Sequence, residues 1–356
     1  MATLILDTKK LKSNFDYLDT QFKKKGIEWS VVTKMLCGNK LFLSELLKFD
    51  CKQVCDSRVS NIREIKSINP NIEVIYIRPP AKSMIPSIVK YADISMNTEI
   101  ETIKMLSKEA KRQGKVHKVI IMIELGELRE GVLEENVINF YEKAFDLENI
   151  QVVGIGANLS CLYGILPNQD KLVQLCLFKQ LIEAKFNKKI RYVSGGTSVT
   201  IPMMSKNILP KGINHFRVGE TLFLGTNVYD GTKLKNMHPD VFRLLAQIVE
   251  LKEKPMVPNG ETGHNLEGKT FEFDQTNIGK KTYRAIVDLG LLDVETSHIR
   301  LMDDDMKIVG ASSDLSVIDL GENRRNYKVG DLIEFRMDYM GMLRIMNSKY
   351  IEKKVV

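Results

Sequence analysis

The sequence predicts a (β/α)₈ barrel followed by a C-terminal domain of β-strands. From residue 28 to about residue 225, eight short β-branched runs alternate with stretches in which apolar residues recur at helical spacing. Beyond about residue 236, short runs with alternating apolar residues are divided by turn-forming residues. We therefore predict a barrel domain over residues 1–235 and a β domain over residues 236–356.

The barrel prediction rests on the order and number of its elements. The strand candidates, in chain order, are WSVVTK, KQVCDS, EVIYIR, DISMN, VIIMIEL, VVGIGAN, YVSGG and NHFRVG. Helical stretches lie between them, such as KLFLSELLKF, SRVSNIREIKSI, TEIETIKMLSKEAKRQ and DKLVQLCLFKQLIEAKF. Strands that alternate with helices indicate a parallel sheet with crossover connections. Eight of them over roughly 200 residues suit a closed barrel.

An open, doubly wound sheet is the alternative for this half of the chain. Such a sheet usually carries a glycine-rich turn after its first strand. The matching segment here is TKMLCGNK, which has a single glycine. The closed barrel is therefore favoured.

The C-terminal β domain is predicted from four runs: RLLAQIVELKEKP, TYRAIVDLGLLDV, MKIVGASSDLSVIDL and DLIEFRMDYMGMLRIM. The segments VPNGETGHNLEG, MDDD and GENRRNYKVGD separate them as turns. A further strand, ATLILD, precedes the barrel. We expect that it can pair with the C-terminal domain.

Composition excludes several classes of function. The net charge of +7 is spread over lysine pairs and triplets without interleaved aromatic residues, so nucleic acid is not an expected partner. The sequence contains no run of 18 apolar residues, so no membrane span is predicted. The first residues do not resemble a signal peptide, and we therefore expect a cytoplasmic protein. Five cysteines and five scattered histidines indicate free thiols and no metal site.

Chemistry in barrel enzymes is found at the carboxyl ends of the strands. Those ends carry Lys34, Asp56, Arg58, Arg78, Asn97, Glu124, Arg129, Asn158, Ser194 to Ser198, Arg217 and Gly219. Several cations and the segment SGGTS at one barrel end indicate an anionic ligand. Exposed amides and hydroxyls in such a loop can hold a phosphate, although most loops of this kind are only turns.

Lys34 directly follows the first barrel strand. A lysine that is partly desolvated and close to other cations has a lowered pKa. Its neutral amine can then form a Schiff base with a carbonyl group. The alternative is a lysine that extends from the strand end into solvent.

Four segments in this order resemble the cofactor-binding segments of the alanine racemase-like, fold-type III pyridoxal phosphate enzymes. They are VVTKMLCG, IELGELREGV, SGGTSV and FRVGETLFLGT. The resemblance covers nearly the whole chain, and VGASSDLSVIDL and DYMGMLRIMNSKYI resemble two strands of the family's C-terminal domain. The patterns CDSR and GASSD resemble the ornithine racemase branch. The implied cofactor is pyridoxal 5'-phosphate.

The resemblance implies a role for individual residues. Lys34 would form the Schiff base, Arg129 would contact the cofactor, and Arg217 would face the pyridine nitrogen. The residues implied at the phosphate and ring are Asn158, Ser194, Gly195, Thr197, Ser198, Gly219 and Glu220. A permanently protonated arginine would keep the pyridine nitrogen unprotonated and restrain side reactions such as transamination. The alternative for Arg217 is a salt bridge at the barrel rim.

Racemisation needs proton acceptors on both faces of the α-carbon. Lys34 can serve one face. In alanine racemases the other acceptor is a tyrosine of the partner subunit, but that position here holds Leu291. The candidates for the second base are Asp293, Asp314, Tyr339, Tyr350 and Cys161. We assign catalytic roles to Tyr350 and Asp293, and substrate binding to Arg58, Asp314 and Tyr339.

The sequence therefore predicts a pyridoxal phosphate-dependent racemase that interconverts L- and D-amino acids, with ornithine or a related diamino acid as substrate. The resemblance also implies a homodimer. An alanine or broad-specificity racemase remains open, as does a non-catalytic protein of pyridoxal phosphate homeostasis, although such proteins lack a β domain. A metal-dependent dehydratase or aldolase of this fold type is disfavoured because no cysteine follows Cys176.

Overall fold

The computed structural model describes residues 1–264, 268, 270 and 272–356. It divides into two compact units: one is Thr8–Val241, and the other combines Met1–Asp7 with Phe242–Val356. Residues 265–267 of the predicted turn VPNGETGHNLEG lie outside the described residues. No helix in the described part of the chain is long and apolar enough to cross a membrane.

Strand β1 (Thr3–Leu6) opens the chain and belongs to the C-terminal unit. The strands of the barrel unit are β2 (Glu28–Val32), β3 (Gln53–Asp56), β4 (Glu73–Tyr76), β5 (Ile94–Asn97), β6 (His117–Met122), β7 (Ile150–Gly156), β8 (Tyr192–Ser194), β9 (Gly196–Thr197) and β10 (His215–Val218). The helices are α1 (Thr8–Lys24), α2 (Lys40–Leu46), α3 (Val59–Ile68), α4 (Ile85–Tyr91), α5 (Ile100–Arg112), α6 (Val137–Phe145), α7 (Gln169–Phe186), α8 (Ile201–Ser205) and α9 (Glu220–Leu224).

The barrel strands form one parallel sheet in the order β8, β7, β6, β5, β4, β3, β2, β10, β9. Only Gly195 separates β8 from β9, so these two are halves of one broken strand. Because β10 pairs with β9, the sheet returns to the strand with which it began. Eight strand positions therefore close into a barrel, which confirms the predicted (β/α)₈ fold.

The barrel interior is filled by every second residue of its strands, because side chains alternate between the two faces of a sheet. A buried apolar cluster includes Val32, Cys55 and Ile75 on three neighbouring strands. Two residues earlier on the same strands stand Ser30, Gln53 and Glu73. The alternation therefore places polar side chains on the inner face, below the apolar cluster.

In its described residues, the C-terminal unit is a mixed sheet of eight strands with one α-helix. Its elements after β1 are β11 (Phe242–Pro255), β12 (Lys281–Val287), β13 (Ile299–Leu301), β14 (Lys307–Ala311), β15 (Ser316–Asp319), β16 (Leu332–Met337), α10 (Tyr339–Asn347) and β17 (Glu352–Val355). The main path runs β13, β16, β11, β12, β15, β14. Strand β1 pairs antiparallel with β11 and parallel with β17.

One predicted strand is wrong. The stretch DYMGMLRIM was expected to continue a β run, but helix α10 covers Tyr339–Asn347. The carboxylate of Asp338 accepts a hydrogen bond of 2.8 Å from the backbone N–H of Gly341, which caps the helix. Met342, Ile345 and Met346 are buried at helical spacing. The apolar residues of this stretch therefore repeat with the helical period of 3.6, and strand β16 ends at Met337.

Candidate active site

Lys34 stands just beyond the carboxyl end of β2. The strand ends at Val32, and the chain continues as a 3₁₀ helix, Thr33–Leu36, in which Lys34 is half-buried. The neighbouring strand β10 pairs Arg217 with Ser30. A Cβ atom at Gly219 would lie 3.0 Å from the Cβ atom and the carbonyl oxygen of Val32. The ends of the two strands that carry Lys34 and Arg217 therefore lie against each other.

Asp56 anchors the segment that carries the lysine. Its carboxylate, which is fully buried, accepts hydrogen bonds from Thr33 Oγ1 at 2.8 Å and Asn61 Nδ2 at 3.0 Å. It also accepts from the backbone N–H of Arg58 at 2.9 Å, while the Arg58 side chain is exposed. Burial raises the pKa of Asp56, against the lowering effect of these bonds. The sequence placed Asp56 at a strand end without a role, and the structure makes it a support for residue 33.

The glycines of the SGGTS segment are explained by packing. A Cβ atom at Gly196 would run into the ring of Phe216, and one at Gly195 would lie 2.9 Å from Ile213 Cδ1. Thr197 then caps the 3₁₀ helix Ser198–Thr200 in a reciprocal arrangement with Thr200. Close approach of Phe216 thus requires glycine at position 196, whatever ligand the loop holds, whereas the neighbours of Gly195 are methyl groups at the ends of side chains.

Ser198 brings the loop to the start of α9. Its Oγ accepts from the backbone N–H groups of Gly219 and Thr221, both at 3.4 Å. These distances are long for a hydrogen bond, so both N–H groups are weakly used. A hydroxyl and two converging amides, beside a glycine with no room for a side chain, fit the oxygens of a phosphate. Glu220 is the first residue of α9.

Arg217 is buried, with 6% of its surface exposed. Its Nη1 donates to the carbonyl oxygen of Ser194 at 2.7 Å and to the Ser194 hydroxyl, and its Nη2 donates to the carbonyl oxygen of Ala157 at 2.7 Å. Burial lowers the pKa of the guanidinium. The described partners are neutral oxygens rather than the carboxylate that a rim salt bridge would supply.

Arg129 has a different environment. Its guanidinium forms a two-pronged ion pair with Glu130, and 40% of its side chain is exposed. Hydrogen bonding to Glu130 raises the pKa of the arginine. Contact between Arg129 and a cofactor therefore stays a prediction, and it would require the guanidinium to share or leave Glu130.

Glu127 joins two loops at this end of the barrel and was missed in the sequence. Its carboxylate accepts from five backbone N–H groups within 3.1 Å, those of Ser160, Cys161, Leu162, Tyr163 and Ile165. Burial by itself raises the pKa of this carboxyl, but the N–H groups outweigh it and lower the pKa to about 2. The donors lie 33 to 38 positions along the chain, so no local motif announces the contact.

The loop held by Glu127 carries Asn158 and Cys161. The Asn158 side-chain amide donates to the Cys161 sulfur at 3.0 Å, and the thiol is exposed. Glu127 therefore ties the segment of Arg129 to the segment of Asn158. These are two of the positions that the sequence assigned to the cofactor.

The remaining predicted residues belong to the C-terminal unit. Asp293 is buried and accepts from Ser348 Oγ at 2.6 Å, and the same Oγ accepts from the backbone N–H of Tyr350 at 3.1 Å. The Tyr350 side chain is 65% exposed. Asp314 is exposed and accepts from Ser313 Oγ at 3.1 Å. Tyr339 is half-buried at the start of α10. Within this unit, Ser348 links the two predicted catalytic residues.

Solved structures with this fold include alanine racemases. The chain superposes on alanine racemase of Clostridium difficile 630 with a TM-score of 0.78 at 16% identity, covering 100% of this chain and 95% of that one. For alanine racemase from Streptomyces coelicolor the TM-score is 0.77 at 14% identity, covering 99% and 97%. At such low identity these neighbours establish the fold alone.

Sequence comparison establishes the family. The model of the alanine racemase N-terminal domain matches residues 6–227, so the chain belongs to that family. It is 39% identical to an ornithine racemase of Acetoanaerobium sticklandii over 354 residues, 99% of each chain. It is 30% identical to a lysine racemase of Thermotoga maritima over 353 residues, 98% of this chain and 97% of the relative. The resemblance drawn from the sequence is thereby confirmed.

Proposed function

We propose that this protein is a pyridoxal phosphate-dependent racemase that interconverts the L and D enantiomers of ornithine or a related diamino acid. The observation that carries the proposal is the position of Lys34, Ser198 and Arg217 at the carboxyl ends of neighbouring barrel strands. Ornithine racemase and lysine racemase relatives, aligned over almost the full chain, support a substrate with a side-chain amine.

The residues present fit the cofactor. An alanine racemase of the same fold, from Bartonella henselae, has covalently bound pyridoxal phosphate. Here Lys34 would hold the aldehyde carbon through its amine, Ser198 and the N–H groups of Gly219 and Thr221 would hold the phosphate, and Arg217 would face the ring nitrogen. When bound, the cofactor withdraws electrons from the α-carbon of the amino acid, which makes the α-proton removable.

Proton transfer falls to side chains of this chain. Lys34 would take or return the α-proton on one face, and Tyr350 or Asp293 on the other. Leu291 has no group that can carry a proton, so the base used on that face by alanine racemases is replaced. Exposure of Tyr350 supports a role toward a second subunit. We therefore propose a homodimer in which each C-terminal unit completes the partner's site. Five free cysteines suit a cytoplasmic location.

The proposal is tested with purified protein and Lys34→Ala. The wild type should show the visible absorption band of lysine-bound pyridoxal phosphate and should racemise ornithine or lysine in a chiral assay that includes alanine and serine. Lys34→Ala should lose the band and the activity. Lys40→Ala is the control, because Lys40 is an exposed lysine at the start of α2. Inversion of alanine alone would contradict the diamino substrate, and a band without turnover would favour the homeostasis alternative.

The second base is tested by exchange in deuterated water. If Tyr350 serves the face opposite Lys34, Tyr350→Phe should lose inversion but retain exchange of the α-proton from the enantiomer that Lys34 deprotonates. Asp293→Asn provides the same test for the other candidate. Normal inversion in both variants would assign the second base elsewhere, with Cys161, Asp314 and Tyr339 next in turn.

A further inference from the structure

A series of hydrogen bonds crosses the barrel interior from the half-buried Glu73, at the start of β4, to Arg217, near the end of β10. The side chains between them are Gln53, His215 and Ser194, all of which are buried. Gln53 and His215 make none of the contacts proposed for cofactor or substrate. Each donor and acceptor in this series can be assigned in turn, starting from the carboxylate.

Glu73 sets the orientation of Gln53. An ionised carboxylate only accepts hydrogen bonds, and Gln53 Nε2 lies 2.6 Å from Glu73 Oε2. The amide nitrogen of Gln53 therefore faces Glu73 and also lies 3.4 Å from the Tyr192 hydroxyl. Its oxygen, Oε1, is turned to the other side, where it lies 2.9 Å from His215 Nε2.

Gln53 in turn sets the tautomer of His215. An amide oxygen has no hydrogen to donate, so Nε2 of His215 must carry the ring proton. The Ser30 hydroxyl also donates to Gln53 Oε1, and its oxygen lies 2.9 Å from Nε2, where it shares that proton. Nδ1 is then the bare nitrogen. It lies 2.7 Å from Ser194 Oγ and accepts the hydroxyl hydrogen.

The direction of the Ser194 hydroxyl hydrogen determines how Ser194 can bind Arg217. Because the Ser194 hydroxyl donates its hydrogen to His215, its oxygen can only accept a hydrogen bond from Arg217 Nη1. The same Nη1 also donates to the carbonyl oxygen of Ser194. Burial, with Arg217 nearby, lowers the pKa of His215 to about 3. The imidazole is therefore neutral and places no second cation beside the guanidinium.

We propose that Glu73, Gln53 and His215 form a positioning network that directs the lone pairs of Ser194 toward Arg217 and so fixes its guanidinium. The inference rests on the proposed function in one respect, the contact of Arg217 with the ring nitrogen. If the guanidinium is less well fixed, it would be less able to keep the ring nitrogen unprotonated. The rate of transamination relative to racemisation should then rise. A change at His215 should alter this ratio while every residue proposed to touch the cofactor is kept.

The barrel supplies a matched control in His117. This histidine, on β6, is also buried, and its Nε2 lies 2.9 Å from the hydroxyl of a neighbouring serine, Ser95. Burial lowers the pKa of His117 to about 4. Its described hydrogen bonds do not lead to Arg217. His117→Phe therefore removes a buried imidazole from the same barrel without touching the positioning network.

The first experiment measures transamination events per racemisation event with ornithine in the loaded wild type, His215→Phe, His215→Asn and His117→Phe. His215→Phe should raise this ratio about tenfold, since a tenfold change needs only about 1.4 kcal/mol between the two barriers. His117→Phe should leave it unchanged. His215→Asn, whose amide oxygen can replace Nδ1 as acceptor, should restore most of the wild-type ratio. Equal ratios for the two phenylalanine variants, or no recovery with asparagine, would overturn the proposal.

The second experiment needs neither activity nor a folded phenylalanine variant. Nitrogen-15 spectra of histidine-labelled, full-length wild-type protein without added cofactor should show His215 neutral, with the proton on Nε2 and a hydrogen-bonded Nδ1. His215→Asn identifies the signal among the five histidines. A proton on Nδ1 would refute the network. Failure of the wild type to racemise any diamino acid would instead count against the proposed function.

Discussion

Several residues at the carboxyl end of the barrel differ from Tyr350 and Asp314 of the C-terminal unit in how firmly they are held. Arg217 and Ser194 are buried in a continuous hydrogen-bond network, and Asp56 and Glu127 each bind several groups on neighbouring segments. Tyr350 and Asp314 are exposed. The barrel side chains are therefore held in one geometry, and we propose that the less constrained Tyr350 and Asp314 help to determine which amino acid is accepted.

This difference predicts that equal chemical changes have large effects in the barrel and small ones in the C-terminal unit. The exchange experiments on Tyr350→Phe and Asp293→Asn test this difference most directly. A severe loss of inversion at exposed Tyr350 would show that catalysis, and not only selection, depends on the less firmly held region.

After the loss of activity expected for Lys34→Ala, the largest effect is expected for Arg217→Lys. A lysine keeps the positive charge, but one ammonium cannot reach both Ser194 and Ala157 as the guanidinium fork does. Racemisation should fall about a hundredfold, or about 2.7 kcal/mol in the barrier. Steady-state rates with D- and L-ornithine provide the measurement. Arg191→Lys is the control, since Arg191 pairs with Glu28 through an exposed ion pair. Near-normal rates in Arg217→Lys would contradict the role of the fork.

Glu127→Gln should be next in size. In the wild type, five backbone N–H groups share the Glu127 carboxylate. In the variant, the glutamine NH₂ group would face some of these donors and could not accept from them, so the free energy of unfolding should fall by about 2–3 kcal/mol. Urea unfolding at neutral pH measures this. Glu124→Gln, in the same segment, weakens a single backbone bond, from Gly126 N–H, and should cost less than about 1 kcal/mol. Similar losses in the two variants would show that the five bonds do not act together.

The two buried histidines predict a moderate pH dependence. Their folded pKa values, about 3 for His215 and about 4 for His117, lie below the usual 6.5. The unfolded chain therefore binds protons first, and stability present above pH 6.5 is lost as pH falls toward those values. When the pH falls from about 7.5 to about 5.5, each histidine should lower the free energy of unfolding by roughly 1 kcal/mol.

Denaturation curves of the wild type, His215→Asn and His117→Phe at both pH values isolate these contributions. Each variant should show a smaller loss on acidification than the wild type. Glu127 acts in a separate window, because its lowered pKa removes stability only below about pH 4.5. An unchanged pH dependence in His215→Asn would mean that this imidazole has nearly the same pKa in the folded and unfolded protein.

The smallest effect is expected for Asp314→Asn. An exposed carboxylate that assists binding of a substrate amine in solvent contributes little, so KM for ornithine should rise about threefold, or about 0.7 kcal/mol. KM for alanine should not change. Asp304→Asn, in another exposed turn, is the control. An equal change for ornithine and alanine would remove Asp314 from recognition of the second amine.

The sequence was most informative where function lies at the end of a regular element. Lys34, Ser198 and Arg217 could be selected because strand rhythm showed where each strand stops and the family resemblance supplied their roles. The same approach failed at Tyr339–Asn347, where β-compatible residues such as Tyr339 and Ile345 hid a helical period. The glycines of SGGTS do not by themselves indicate a ligand, because packing against Phe216 already requires glycine at position 196. Phosphate binding by this segment stays a prediction.

By itself, then, the sequence determined the alternation that builds a parallel barrel and the β domain that follows, because periodicity and strand ends are local properties of the chain. It also showed the order of the segments that resemble the family's cofactor-binding segments. Only the tertiary structure decided that Glu127 binds five backbone N–H groups of a distant loop and that His215 Nε2 lies against the amide oxygen of Gln53. Both depend on which polar groups meet out of water, and a buried donor or acceptor takes its partner from whatever strand the fold places beside it.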